Sequence, residues 1–333
     1  MKKRIMTMGV MGLLLVIGAA NVFAQRVKII VYTSMKESLI ADLKNDFIRK
    51  NPDIDMDYQS AGAGSLMAKI AAEGQSGRIM ADVIWTSEVP DFYKMKNDGL
   101  LIKYKPRGAE QTMNPLVGTD DYFVPARLGT LGIVYNTRQI KRPPTAWRDL
   151  MGTEYNRAFS IADPALSGTS FVSVAMLKEA FGDQFFVDLR KNGALIGKGS
   201  GQVVDDTASG ELAACLGVDY ITFDKVDKGA TLAMAYPKEL LLIPSPIAIL
   251  KDTRALAAAQ RFIDYMLTRD AQQIIANNGT LPVRSDVTIP AKYNLPRVAD
   301  AIANGIKVDY IKMMSERESR IESFKKIMTA PIR

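Results

Sequence analysis

The stretch that most constrains this chain is Val27-Lys28-Ile29-Ile30-Val31-Tyr32-Thr33-Ser34, followed by Met35-Lys36-Glu37-Ser38-Leu39. An apolar run of β-branched residues is the signal of a buried strand. Ser34 with Glu37 three positions on has the form of a capping box, and Leu39, Leu43 and Phe47 then recur at helical spacing. The pattern predicts a strand that turns directly into a helix. A helix starting at the C-terminal edge of a sheet presents unpaired N–H groups and the positive end of its dipole. Together these make a seat for an anion.

The residues ahead of this junction set the compartment. Lys2, Lys3 and Arg4 are basic, Val10 to Ala19 is nearly all apolar, and Val22-Phe23-Ala24 supplies a small-residue cleavage pattern. Residues 1–24 therefore read as a signal peptide, with a mature chain that starts at Gln25 and is soluble outside the cytoplasmic membrane. The apolar run is shorter than the ~20 residues a membrane span needs. Removing the three basic residues lowers the formal charge from +7 to +4, too mild and too dispersed for a nucleic-acid partner. Cys215 is the single cysteine, so no internal disulfide can form, and it reads as a small buried hydrophobe. The sequence has no histidine, which removes the Ser-His-Asp triad, the Cys-His pair and every imidazole metal site. An exported chain with anion seats and no evident base is expected to catch a solute rather than transform it, without metal or cofactor.

Strand and helix alternate from Gln25 to about Asp121. Asp55–Gln59 is a second strand leading into Ala61-Gly62-Ala63-Gly64-Ser65, and Ala81–Trp85 is a third, ending in Thr86-Ser87. Such alternation predicts a parallel sheet covered on both faces. Tyr122 to Asn136 reads as one long extended segment, and Leu240 to Leu250 as another. Between them lies a second α/β unit, with strand Phe159–Ala162 running into Ser167-Gly168-Thr169-Ser170 and a helix. A helical tail follows, whose last segment, about 308–328, carries Lys312, Arg317, Arg320 and Lys325 on a face expected to be solvated. The expected division is one discontinuous lobe, 25–125 plus 250–333, and a second lobe, 126–249.

The ordered set of these motifs resembles the periplasmic solute-binding proteins of ABC importers, in the branch of ferric-ion, hexose-phosphate and aminoethylphosphonate binders. The resemblance is carried by Val31-Tyr32-Thr33-Ser34, Ala61-Gly62-Ala63-Gly64-Ser65, Ala81-Asp82-Val83-Ile84-Trp85, Gly132-Ile133-Val134-Tyr135-Asn136-Thr137, Ser167-Gly168-Thr169-Ser170 and Gly279-Thr280-Leu281-Pro282-Val283-Arg284. It implies an α/β fold of type II, with two lobes joined by two hinge-crossing strands and closing on the ligand. It also implies a monomer that hands its ligand to ABC permease and ATPase subunits. Ferric binders of this branch resemble one another in a pair of adjacent tyrosines. Here Tyr220 stands between Asp219 and Ile221. Asp219-Tyr220, Tyr236-Pro237-Lys238-Glu239 and Pro125–Thr130 look instead like the hexose-phosphate members. A ferric site assembled from Tyr32, Tyr220, Tyr236 and nearby carboxylates is the alternative.

Binding a phosphate ester needs convergent donors. Ser34, Ser65, and Ser167 with Thr169 and Ser170 lie where loops open helices, and their hydroxyls and backbone N–H groups can surround phosphate oxygens. Arg127, in the first extended segment, can pair with an anion across the hinge. Carboxylates accept paired hydrogen bonds from vicinal hydroxyls, which makes Asp206, Asp219 and Glu239 candidates for the sugar end, beside Tyr220. Trp85 and Tyr32 are expected in the core.

Overall fold

A computed structural model of the chain describes residues 26–332 except 117, so the expected signal peptide lies outside the described residues. The chain opens in the expected alternation. β1 (Val27–Thr33), β2 (Ile54–Ser60) and β3 (Val83–Trp85) are followed respectively by α1 (Glu37–Lys50), α2 (Ala63–Gln75) and α3 (Val89–Asn97). β1 pairs in parallel with β2 on one side and β3 on the other, as crossover helices require. β4 (Leu101–Ile102) then leads to the long β5 (Val124–Asn136).

A second α/β unit contains β6 (Phe159–Ala162), α4 (Gly168–Phe181), α5 (Asp183–Lys191) and β7 (Leu195–Gly197). It continues through α6 (Ser200–Ser209), β8 (Ala214–Val218), α7 (Asp219–Asp227) and β9 (Leu232–Ala235). β10 (Leu241–Leu250) returns the chain toward the first unit. The tail folds as α8 (Leu256–Met266), α9 (Arg269–Asn277), α10 (Val298–Asn304), α11 (Tyr310–Ser315) and α12 (Arg317–Met328).

The two long extended segments are the structural link. β5 and β10 pair antiparallel, and every residue of both is buried. β10 also pairs with β3 and β4, and β5 with β8 and β9. A single sheet results, ordered β2-β1-β3-β10-β5-β8-β6-β7. Pro244 and Pro246 offer no N–H to this ladder, and the register shifts between Ser245 and Pro246. Irregular positions are where strands tolerate proline. Trp85, Tyr32 and Cys215 are buried in the core, as the sequence leads one to expect.

Three local expectations are corrected. Ser34 does not cap α1: the cap position belongs to Lys36, which makes no side-chain capping bond. Met35 is fully buried, and turning it into the core keeps residues 34–36 outside the helix. Gly62 holds the cap position of α2, so Ser65 is the third residue of that helix. Finally, the segment about 308–328 is not one helix with a solvated basic face. It breaks at Glu316 into α11, which packs on α3, and α12, which packs on α4 and α5. Arg320 is buried between Glu179 and Glu316, at 2.7 Å from each, and Arg317 pairs with the buried Glu88. Packing against the second unit takes Arg317 and Arg320 out of the expected solvated face, while Lys312 and Lys325 keep much of their exposure.

Candidate functional site

Ser245, at the register shift of β10, is fully buried. Its hydroxyl lies 3.0 Å from that of Ser87, at the end of β3, and accepts from Arg127 Nε at 3.1 Å. Arg127 is fully buried on β5. Its remaining donors go to Ser87 Oγ at 3.2 Å, Thr280 Oγ1 at 2.6 Å and Asp219 Oδ1 at 3.4 Å. The guanidinium also lies 4.4 Å from the centre of the Tyr220 ring, within cation–π range.

Asp219, the first residue of α7, is as buried as Arg127. Its carboxylate accepts from Thr130 N (2.8 Å), Thr130 Oγ1 (3.0 Å), Thr280 Oγ1 (2.7 Å) and its neighbour Tyr220 N (2.6 Å). Burial pushes its carboxyl up, while Arg127 and these donors pull it down. The acceptor positions of Asp219 and four of the five N–H donors of Arg127 are therefore taken up within the protein. The pair fastens β5, α7 and the loop at Thr280 beneath the junction of the two α/β units.

Above this layer the units touch. Ser34 Oγ accepts from Ser87 N at 3.3 Å, and the Tyr220 hydroxyl donates to Ser34 O at 3.3 Å. Lys36 reaches Tyr220 O at 3.0 Å and Asp224 at 2.9 Å. Glu88, the next residue after Ser87, lies against the first turn of α4. A Cβ placed on Gly168 would sit 2.3 Å from Glu88 Oε2, so the absence of a side chain there admits the carboxylate. Gly62 and Gly64, at the start of α2, face the carbonyls of Leu166 and Ala165, just ahead of α4. A recess of about 450 Å³ opens at this seam, lined by Gly64, Ser65, Asp91, Ala165, Leu166 and Arg317 among others.

The predicted residues thus fall into two groups. Arg127, Asp219 and Tyr220 form the lower, interlocked layer, and the Tyr220 hydroxyl ties Ser34 to it. Ser65, Ser167, Thr169 and Ser170 form the upper seam, where Ser167 caps α4 by accepting from Ser170 N at 3.2 Å. Ser170 Oγ is committed to Ala162 O at 2.5 Å, whereas the Thr169 hydroxyl has no partner among the described residues. Asp206 lies in the last turn of α6 and Glu239 precedes β10, its carbonyl accepting from Trp147 at 2.9 Å. Among the described residues no hydrogen bond or ion pair joins either of them to the two groups.

Sequence reading missed the segment that links the groups, Thr86-Ser87-Glu88, and its partners Ser245, Thr280 and Arg317. The end of β3 was visible as a strand terminus. The pairing of Glu88 with Arg317, 229 positions on, carries no local signal. Of the tyrosines of the alternative reading, Tyr220 and Tyr236 both lie near Asp219, while Tyr32 is engaged elsewhere. Tyr32 donates to Glu73 at 2.7 Å, Tyr220 to Ser34 O, and Tyr236 lies 3.2 Å from Thr130 Oγ1. Burial raises all three phenols, so each phenolate is costly. Among the described residues no group of three or more acidic or thiol side chains could hold a metal ion, and no helix is long and apolar enough to cross a membrane.

Comparison with known proteins agrees with this architecture. Residues 79–312 match the family model described as bacterial extracellular solute-binding protein. A Haemophilus influenzae protein of uncharacterised function is 26% identical over 282 residues, spanning 80% of this chain and 79% of its own. The putative 2-aminoethylphosphonate-binding periplasmic protein of Salmonella typhimurium is 20% identical over 255 residues, 73% of this chain and 74% of its own. The periplasmic binding protein AfuA from Actinobacillus pleuropneumoniae, with exogenous fructose-6-phosphate bound, superposes with a TM-score of 0.76 at 21% identity. That match spans 91% of this chain and 99% of AfuA, and the shared fold is that of type II periplasmic binding proteins. Members bind solutes rather than transform them. The chain belongs to the bacterial extracellular solute-binding proteins, the periplasmic ligand-binding components of ABC importers.

Proposed function

We propose that the chain captures a small solute carrying a phosphoryl or phosphonyl group, a hexose phosphate being the form its sequence suggests, and delivers it to an ABC permease. The carrying observation is convergence: the junction after β1 meets Ser87, the junction after β6 receives Glu88, and the junction after β2 faces that after β6 at Ala165 and Leu166. Helix N-termini supply oriented N–H groups to an anion, and the Thr169 hydroxyl is free to add a donor. The names of the Salmonella relative and of the AfuA complex support an organophosphorus ligand. In this reading the lobes are residues 25–125 with 250–333, and residues 126–249, with α12 laid across onto the second. They close about β5 and β10, because the ligand contacts both only in the closed state. Arg127, Asp219 and Tyr220 position that hinge from below.

The test is a thermal-shift panel on ligand-stripped mature protein with glucose 6-phosphate, fructose 6-phosphate, 2-aminoethylphosphonate, inorganic phosphate and ferric citrate. A ligand at 100 times its Kd adds about 2.7 kcal/mol to stability. Selective stabilisation by organophosphorus compounds is expected. Stabilisation by ferric citrate alone overturns the reading.

A further inference from the structure

Among the described residues the chain passes between the two α/β units three times. β5 and β10 are two of the passages. The third is the break at Glu316, between α11 and α12. α11 packs on α3 of the first unit, and Tyr310 and Met314 lie against the core cluster that holds Phe92 and Tyr93. α12 is fastened to the second unit along its length. Phe324 meets Phe186 edge-on at 5.2 Å, Arg320 pairs with Glu179 at 2.7 Å, and Lys325 lies 2.9 Å from Asp163. Just past the helix end, Ala330 O accepts from Arg190 Nε at 2.8 Å. Residues 310–328 therefore form a strap with one end on each unit.

Arg317, the first residue of α12, reaches back across the break. Its Nη2 and Nε donate to Glu88 Oε1 at 2.7 Å and 3.1 Å, and its guanidinium lies 5.0 Å from the centre of the Phe171 ring on α4. Glu88 immediately precedes α3 and belongs to the first unit. The pair thus ties one unit to a helix that rides on the other. Glu88 has no exposed surface, and its Oε2 has no hydrogen-bond partner among the described residues. Burial pushes its carboxyl up, and Arg317 pulls it down less strongly. Unpaired buried acceptors are rare in native structures because each forfeits its hydration. An oxygen that regains water whenever the units part bears that cost in the closed arrangement alone. Attraction by Arg317 and lost hydration at Oε2 therefore oppose each other at one carboxylate, which suits a seam that opens and closes.

We propose that the Arg317–Glu88 pair is an interlobe latch, carried by the 310–328 strap, that favours the closed arrangement before any solute is bound. The inference rests on the closing-lobe reading given above and adds to it what sets the balance between open and closed. Arg317 and Glu88 are positioning residues: they act on the solute through the placement of the lobes. The strap also makes closure a motion of three passages, with Glu316 bending as β5 and β10 flex.

The experiment is small-angle X-ray scattering of ligand-stripped mature protein, comparing wild type, Arg317→Met and the double variant Glu88→Gln with Arg317→Met. Methionine keeps the packing on Phe171 and removes the charge, which leaves the Glu88 carboxylate without its counter-charge in the closed form and hydrated in the open one. Arg317→Met is expected to have a larger radius of gyration than wild type. The double variant is expected to return toward the wild-type value, because a neutral amide is buried at less cost; a residue serving stability alone would not show this rescue. Arg317→Lys, which keeps a charge without the paired contact, replaces Arg317→Met if the latter fails to fold, and is expected to expand less. A radius shared by wild type and variants overturns the latch, and so does expansion that the double variant does not reverse. Contraction of all three proteins on adding glucose 6-phosphate or 2-aminoethylphosphonate would then leave the closing-lobe reading standing. A shared radius unmoved by a compound that calorimetry shows to be bound overturns both.

Discussion

The Arg127 guanidinium lies 3.4 Å from the Asp219 carboxylate, and neither residue is exposed to solvent. One sits on a strand that serves both α/β units, the other at the start of a helix in the second. Desolvating two charges is tolerated here because almost every donor and acceptor of the pair is used. Asp219→Ala leaves Arg127 buried without its counter-charge and is expected to lower unfolding free energy by about 3–5 kcal/mol. Urea denaturation of the mature protein measures this. A loss below about 1 kcal/mol, the value of a surface pair, would contradict the structural role given to Asp219.

Gly168 admits Glu88 across the seam. A methyl group there would lie 2.3 Å from Glu88 Oε2 and 2.9 Å from Glu88 Cβ, and the Cβ cannot swing aside without moving α3. Gly168→Ala is therefore expected to hold the lobes apart and weaken ligand binding about ten-fold or more, since contacts to both lobes form only on closure. The unfolding midpoint should change little, because α4 itself accepts alanine. Unaltered affinity would show that the seam does not tighten on ligand.

Thr169 and Ser170 separate affinity from stability. Thr169→Val removes a free hydroxyl while keeping shape, and is expected to cost on the order of 1–3 kcal/mol of binding. Ser170→Ala removes a buried bond to Ala162 O and is expected to reduce stability by about 1 kcal/mol with little effect on affinity. Paired titration and unfolding curves check both, and an exchange of the two outcomes would move the binding hydroxyl from one residue to the other.

The elevated Asp91 carboxyl has a consequence for pH. Burial, with Glu88 adding to it, lifts the folded-state value from 3.8 to about 8. The folded protein thus holds this proton more tightly than the unfolded chain. The stability it contributes is complete below the unfolded value and is lost as pH rises through about 8. Ligand-free protein should therefore lose stability between roughly pH 4 and pH 8 from this source, and Asp91→Asn should flatten the slope. A slope unchanged by the substitution would assign the loss to other groups.

Much of the fold was legible because its signals are local. The β-branched run at 27–33 and the strand at 159–162 needed no tertiary knowledge, and the two long extended segments became β5 and β10. Helix starts were misjudged where tertiary packing competes with capping: burial of Met35 moves the start of α1 past Ser34. The break at Glu316 lacks any glycine or proline, and comes from two helices packing on different units. The hydroxyl-bearing junctions were visible, but their division into a filled lower layer and an upper seam was not. That division depends on Ser87, Glu88, Ser245, Thr280 and Arg317, which meet only after the chain has crossed between the units twice.

Amide hydrogen exchange, with and without glucose 6-phosphate or 2-aminoethylphosphonate, tests the central claim most directly. The account predicts that the compound that binds slows exchange at Gly62–Ser65 and Gly168–Ser170 together, one segment from each lobe. Protection of neither segment by a compound that demonstrably binds, or of one lobe alone, would contradict a cleft that closes around its ligand at these helix starts.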